Sequence, residues 1–331
     1  MQKRLVGQNH SYVFEFVEPE ESENAEDFGL VFRGKCEQDG TPVIVRYLRN
    51  KQLIKSPQHL QLVQNIFLSF NKLLDEGLVK TFDCIVDENG LYIIREHLQG
   101  IDLQQVIFTG DYPHLRNTKF FLTVAEKVCK TLETLHHNKI IHRRIQPNTI
   151  FLVANNAGQI DIENPTVKLL NLEYAQINSQ NILGFTSTPY SLYYSAPELV
   201  LQANPLINAS CDLYSLGITL FEAFAREHAF ICENDDKNLI LNMQLSFPLK
   251  PHHRVDKSIF EMLQKATAKH IFKTPPMRYK PEARLKFFYN AQKLRFQSAD
   301  EMSQYIATLI QEYQVKQEKT LVQKLKNVFK R

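Results

Sequence analysis

A chain of 331 residues, 44% hydrophobic and 23% charged, has the composition of a soluble globular protein and is long enough for more than one folding unit. No run of about 18 apolar residues marks a transmembrane helix, and the first ten residues lack the apolar stretch of a signal peptide. Five scattered cysteines without a C-x-x-C pattern suit reduced thiols in the cytoplasm, although a secreted effector without a cleaved signal would have the same features. In chain order, short β-branched or aromatic runs at 12–17, 30–35, 43–48, 81–87 and 91–97 predict a five-stranded sheet. Between the third and fourth runs, Leu60, Val63, Phe67, Phe70, Leu73 and Leu74 recur at helical spacing over 57–74. Gly100 suggests a hinge near 97–102, and helical patterns follow at 118–137, 211–227, 257–268 and 299–315. Asn155, Asn156, Ala157 and Gly158 form a turn signal in a long connection.

The segments that carry chemistry lie between and after these helices. Residues 142–152 contain His142, Arg143, Arg144, Pro147 and Thr149, and 167–173 read Val-Lys-Leu-Leu-Asn-Leu-Glu. Ser195 to Glu198 read Ser-Ala-Pro-Glu, Asp212 to Gly217 read Asp-Leu-Tyr-Ser-Leu-Gly, and Arg295 to Met302 complete the set. In order and spacing these five segments resemble protein kinases of the bacterial Ser/Thr type. In that family the first is the catalytic loop H-R-D-x-x-x-x-N, whose Asp accepts the substrate proton and whose Asn holds magnesium. Arg144 stands at the Asp and Thr149 at the Asn. Arginine stays protonated at physiological pH and cannot act as a base. Asn171 replaces the magnesium-binding Asp of D-F-G. By the same resemblance, His142 packs beneath the activation segment, Asp212 accepts from the catalytic-loop backbone, and Glu198 pairs with Arg295; these are structural roles.

The N-terminal third departs from the family in the same direction. Val43, Ile44, Val45 and Arg46 match V-A-I-K, so Arg46 stands at the phosphate-binding lysine, and the lysine's usual Glu partner falls at Ile66. The glycine-rich loop keeps Gly29, with Asn24 and Glu26 at the other two glycine positions. Six carboxylates between Glu18 and Asp27 would repel a triphosphate. Ile44 and Phe151 enlarge the walls of the adenine pocket, and Arg95 fills its back beside the hinge residues Glu96 and Leu98. Val31 and Asp102, at the lid and ribose positions, remain compatible with a nucleotide.

The resemblance implies a two-lobed α+β fold: an N-lobe over 1–97, a C-lobe over 98–315 with an insertion near 270–294, and a basic amphipathic helix over 316–331. The reading is a pseudokinase, not an enzyme, that binds and regulates another protein without a cofactor; ATP and magnesium are not expected to bind. One alternative is an anion-binding module built on Arg46, Arg143, Arg144 and Lys168. Another is an atypical kinase or nucleotide-dependent transferase, for which Thr149 and Asn171 supply no carboxylate. Charge is uneven: residues 265–331 carry 15 Lys and Arg against 5 acidic residues. Leu321, Val322, Leu325, Val328 and Phe329 form a stripe expected to dock the tail on the C-lobe. Ser187, Thr188, Tyr190, Ser191, Tyr193 and Tyr194 crowd the activation segment within reach of another kinase, and Ser191, Tyr193 and Tyr194 are read instead as the wall of a substrate groove; His252, His253 and His270 lack zinc-site spacing.

Overall fold

The computed structural model describes residues 2–16, 29–49, 53–73, 75–185, 187, 189–232, 234 and 236–328, without the side chains of 320–328. Asn24, Glu26, the acidic run, Thr188 and the apolar stripe of the tail lie outside what it describes.

Six strands, one more than expected, form the N-terminal sheet: β1 (Gln2–Val6), β2 (Ser11–Glu15), β3 (Leu30–Cys36), β4 (Pro42–Leu48), β5 (Thr81–Val86) and β6 (Leu91–Glu96). All pairings are antiparallel, in the order β1-β2-β3-β4-β6-β5. The added strand, β1, buries only Leu5, so it shows no alternation in sequence. Side chains alternate across a strand, and β4 uses both faces. Val43, Val45 and Tyr47 join Tyr12, Phe14, Phe16, Tyr92 and Ile94 in one core, where Tyr47 and Tyr92 stack at 4.9 Å. Ile44 and Arg46 point the other way, and the register sets Arg95 opposite Ile44.

Helix α1 (Pro57–Phe70) starts where the Ser56 side chain accepts the His59 amide at 3.1 Å and Pro57 takes the first turn. It ends before residue 74 because the Asn71 side chain bonds both main-chain groups of Thr81 in β5. Below the sheet come α2 (Leu103–Phe108), α3 (Thr118–His137), the short α4 (Pro197–Val200) and α5 (Ala209–Ala225). They are followed by α6 (Lys237–Ser246), α7 (Lys257–Ala266), α8 (Pro281–Gln292) and α9 (Ala299–Val328). Helix α5 is buried along nearly its whole length. One apolar cluster runs from Leu48, Val63 and Phe67 of the upper lobe to Leu216, Met262 and Ile306 of the lower.

Two small three-stranded sheets frame the loops between the lobes. One is β10 (Thr166–Leu169), β9 (Ile150–Val153) and β7 (Gly100–Asp102); the other is β12 (Gln180–Asn181), β11 (Gln176–Ile177) and β8 (Ile140–Ile141). At the hinge, Gly100 has φ +144°, and a Cβ there would lie 2.0 Å from the Leu152 carbonyl.

One expectation for the C-terminal end is corrected. Residues 316–328 are no separate helix: α9 runs unbroken from Ala299 to Val328 because no Gly, Pro or capping signal interrupts it. The segment 270–294 holds α8 and a core of its own, in which Phe272 and Phe288 pack with Ala203 and His270 stacks on Phe287 at 4.0 Å. Among the described residues no helix is long and apolar enough to cross a membrane.

Candidate functional site

The cleft between the lobes is organised around a buried ion pair that neither strand pattern nor motif spacing had suggested. Arg46 on β4 donates from Nε to Glu173 Oε1 at 2.8 Å, and the two side chains are 9% and 5% exposed. Glu173 lies in the 3-10 turn Leu172–Tyr174, entered through Asn171 in the left-handed conformation (φ 67°), which asparagine tolerates. Ile66, the expected position of the partner acid, instead packs its side chain against the core. Gly29 closes over the pair: at φ +61°, a Cβ there would come within 2.6 Å of Leu48 and the Tyr47 carbonyl and 3.3 Å of Arg46 Nε.

Arg95 shares this pocket. Burial pulls its guanidinium down to about 10, with the charge of Glu173 opposing that pull and Arg46 adding to it. Its strand neighbour Glu96 accepts from Lys168 Nζ and from the Lys80 amide, both at 2.8 Å. Asp102, assigned to a ribose, caps α2 by accepting the Gln105 amide at 2.9 Å. Ile44, Leu98 and Phe151 are half-buried, and Val31 is 50% exposed.

The catalytic-loop positions turn inward. His142 is fully buried; its Nε2 donates to the Leu170 carbonyl at 2.9 Å and its Nδ1 accepts the Arg144 amide at 3.2 Å. Burial lowers its pKa, in keeping with a neutral ring that donates and accepts once each. Asp212 accepts the amides of His142 (2.8 Å) and Arg143 (2.7 Å) and bonds the His136 ring (2.9 Å). Burial raises its pKa, but the hydrogen bond and charge of His136, with other partners, hold it below the usual carboxylate range. Thr149 closes the loop by bonding the carbonyls of Arg144 and Gln146, each at 2.8 Å.

Arg143 and Arg144 both serve the segment that follows Asn171. The guanidinium of Arg143 donates to the carbonyls of Tyr174 (2.8 Å) and Ala175 (3.3 Å) and to Asn181 Oδ1 (2.6 Å). That of Arg144 lies 4.8 Å over the Tyr174 ring and donates to the Tyr190 carbonyl at 3.2 Å. Tyr174 in turn stacks on Phe185 at 5.7 Å. The open electropositive cleft envisaged for Arg46, Arg143, Arg144 and Lys168 therefore does not form, because all four cations bond within the chain. The structure brings Arg46, Arg95, Glu96 and Lys168 together at the cleft and Arg143, Arg144, Thr149 and Asn171 beneath it. Glu198 and Arg295 pair deep in the C-lobe at 2.5 Å.

Glu173, the partner of Arg46 in the cleft, is the residue that sequence reasoning passed over. It stands where the third residue of D-F-G falls, and its only signal was a charge placed next to a buried strand.

A protein kinase domain model matches residues 27–320. The chain is 25% identical over 215 residues to the serine/threonine-protein kinase unc-51 of Caenorhabditis elegans, covering 62% of this chain and 24% of that protein. It is 24% identical over 250 residues to serine/threonine-protein kinase D2 of Rattus norvegicus (74% and 26%). With serine/threonine-protein kinase PrkC of Bacillus subtilis it shares 25% identity over 228 residues (68% and 33%). The chain thus spans about a quarter to a third of the length of these relatives. They include animal and bacterial proteins, so the likeness is not confined to the bacterial type. The expectation that the chain is no enzyme is overturned here: a kinase domain with several Ser/Thr kinase relatives points to an enzyme. A two-lobed fold, the buried loop beneath its cleft and a match over most of its length together make this chain a member of the protein kinase domain family.

Proposed function

We propose that this kinase-family domain acts as a regulatory module that contacts another protein, with its own arginines latching the cleft onto the activation segment. The carrying observation is the buried Arg46–Glu173 pair. A nucleotide phosphate at that place would compete with Glu173 for the cation and meet a buried carboxylate, a like-charge contact in a low-dielectric site. Arg144 adds a second hold through Tyr174 and Tyr190. A segment fixed in this way loses little further entropy when a protein docks on it, which favours stable contact. The free cysteines, of which Cys36, Cys84, Cys129 and Cys211 are buried, suit a reducing, cytoplasmic setting.

Glu173 also favours a second reading, a transferase with a rewired site. The carboxylate absent at 149 and 171 is present at 173, and once released from Arg46 it could take a metal. One experiment separates the two. A ligand at 100 times its dissociation constant adds about 2.7 kcal/mol of stability, so uptake of ATP with magnesium registers clearly in a thermal-shift assay. The latched module predicts no rise in melting temperature. A saturable, metal-dependent rise, with label transfer that Glu173→Gln abolishes, would show that the latch opens to nucleotide and that Glu173 takes part in transfer.

A further inference from the structure

Outside the cleft, a second group of arginines is arranged differently. Arg116, Arg226 and Arg254 line one cavity of about 370 Å³ where α3 begins, α5 ends and the loop before α7 passes. Main-chain carbonyls, not carboxylates, hold their guanidinium groups. Arg116 donates from Nε to the Val106 carbonyl (2.7 Å) and from Nη2 to those of Ile107 (3.0 Å) and Thr109 (3.1 Å). Arg226 donates to the Arg116 carbonyl at 3.3 Å, and Arg254 to that of Ala225 at 3.0 Å. Such bonds fix direction and leave the charge in place. Among the described residues no carboxylate forms a salt bridge with any of the three, and the adjacent Glu227 pairs with His252 at 3.6 Å.

Three positive charges therefore share a concavity with no acidic group in its lining. Its floor is firm, since Phe121 and Phe224 are buried and meet edge to face at 5.7 Å. The remaining wall is the first turn of the 20-residue helix α3, capped by Asn117, whose dipole adds positive potential against the opposing C-terminal end of α5. Planar guanidinium forks match phosphate oxygens two at a time, and the volume falls within the range of small-molecule sites.

We propose that this cavity binds a small ligand bearing clustered phosphate groups. The site shares no residue with the cleft and stands whichever way the cleft is read. Arg226 and Arg254 are exposed, so they can be changed without opening the core, and binding through them weakens as salt rises.

The test is calorimetric titration of the full chain with inositol hexakisphosphate and with inorganic phosphate, alongside sedimentation with vesicles carrying phosphatidylinositol bisphosphate. Two double variants are compared: Arg226→Gln with Arg254→Gln, and Arg278→Gln with Lys280→Gln, which removes the same charge from the insertion. Losing charge-assisted hydrogen bonds from two guanidiniums weakens binding by about tenfold or more. That loss is expected in the first variant, with the second staying within about threefold of the parent. Soluble and vesicle arms tell a free ligand from a lipid headgroup, and binding in either that is lost only in the first variant supports the site. Absence of binding in all arms, or equal weakening in both variants, would overturn it.

Discussion

Arg295→Ala is expected to lower stability by about 3–5 kcal/mol, on the order of 10 °C in melting temperature for a chain of this size. Arg295 is buried and grips Glu198 with both terminal nitrogens, at 2.5 and 3.1 Å; its Nε donates to the Ala268 carbonyl at 2.8 Å. Gln292 of α8 donates to the same carboxylate at 2.9 Å, so the 270–294 segment is tied into the pair. Burial alone would push the Glu198 carboxyl up, but the charge and hydrogen bonds of Arg295 outweigh it and hold the pKa below the usual glutamate value. A depressed carboxylate stabilises above its unfolded pKa and loses that contribution as pH falls through the folded one. The parent should therefore lose this stability only in acid below the ordinary glutamate range. In Arg295→Ala only burial and weaker partners remain, and the folded pKa rises. The variant's deficit is then largest at neutral pH and shrinks on mild acidification as Glu198 takes up a proton. Thermal melts from neutral to mildly acidic pH check both the size and the slope.

The second large effect concerns the cleft. Arg46→Met alone should cost about 3–5 kcal/mol, because a buried carboxylate loses its partner. Glu173→Leu should cost more, since it leaves Arg46 and Arg95 facing each other without the carboxylate whose charge supports Arg95. The double replacement should return to within about 1 kcal/mol of the parent, because an apolar pair of similar volume avoids the desolvation of both charges. Denaturant melts of the four proteins form a double-mutant cycle. If the singles add instead of cancelling, the two side chains are not coupled as the geometry requires.

How far these features were legible depends on what each one left in the sequence. Strands β3, β4 and β6 alternate or run apolar, and α1, α3 and α5 repeat at helical period, so their positions follow from the burial they achieve. Strand β1 had only Leu5 to show, and α6 and α8 bury only a few residues each. The continuity of α9 through 316–328 shows in the sequence only as the absence of a Gly, Pro or cap between 299 and 328. At the site, motif spacing indicated which residues stand at kinase positions but not what they bond to. Arg46 and Glu173 are 127 residues apart, and no periodicity links them; only asking where a buried guanidinium finds its counter-charge leads from one to the other. Arg143 illustrates the same limit. Read as a cation of the cleft, it is instead consumed by carbonyls and Asn181 under the activation segment.

Amide hydrogen exchange over 172–185 tests the latch most directly, comparing the parent with Glu173→Gln. In the parent, Tyr174 and Ala175 donate their amides within the turn, and Arg46, Arg143 and Arg144 hold that turn from three sides. Protection reports the free energy of local opening. Loss of the ion pair should raise exchange in this segment by about tenfold or more, equivalent to roughly 1.4 kcal/mol. Peptides from α5, deep in the C-lobe, should change by no more than the variant's global loss of stability. Equal protection of 172–185 in both proteins would contradict the account, because the arginines of the cleft would then not be what holds the segment in place.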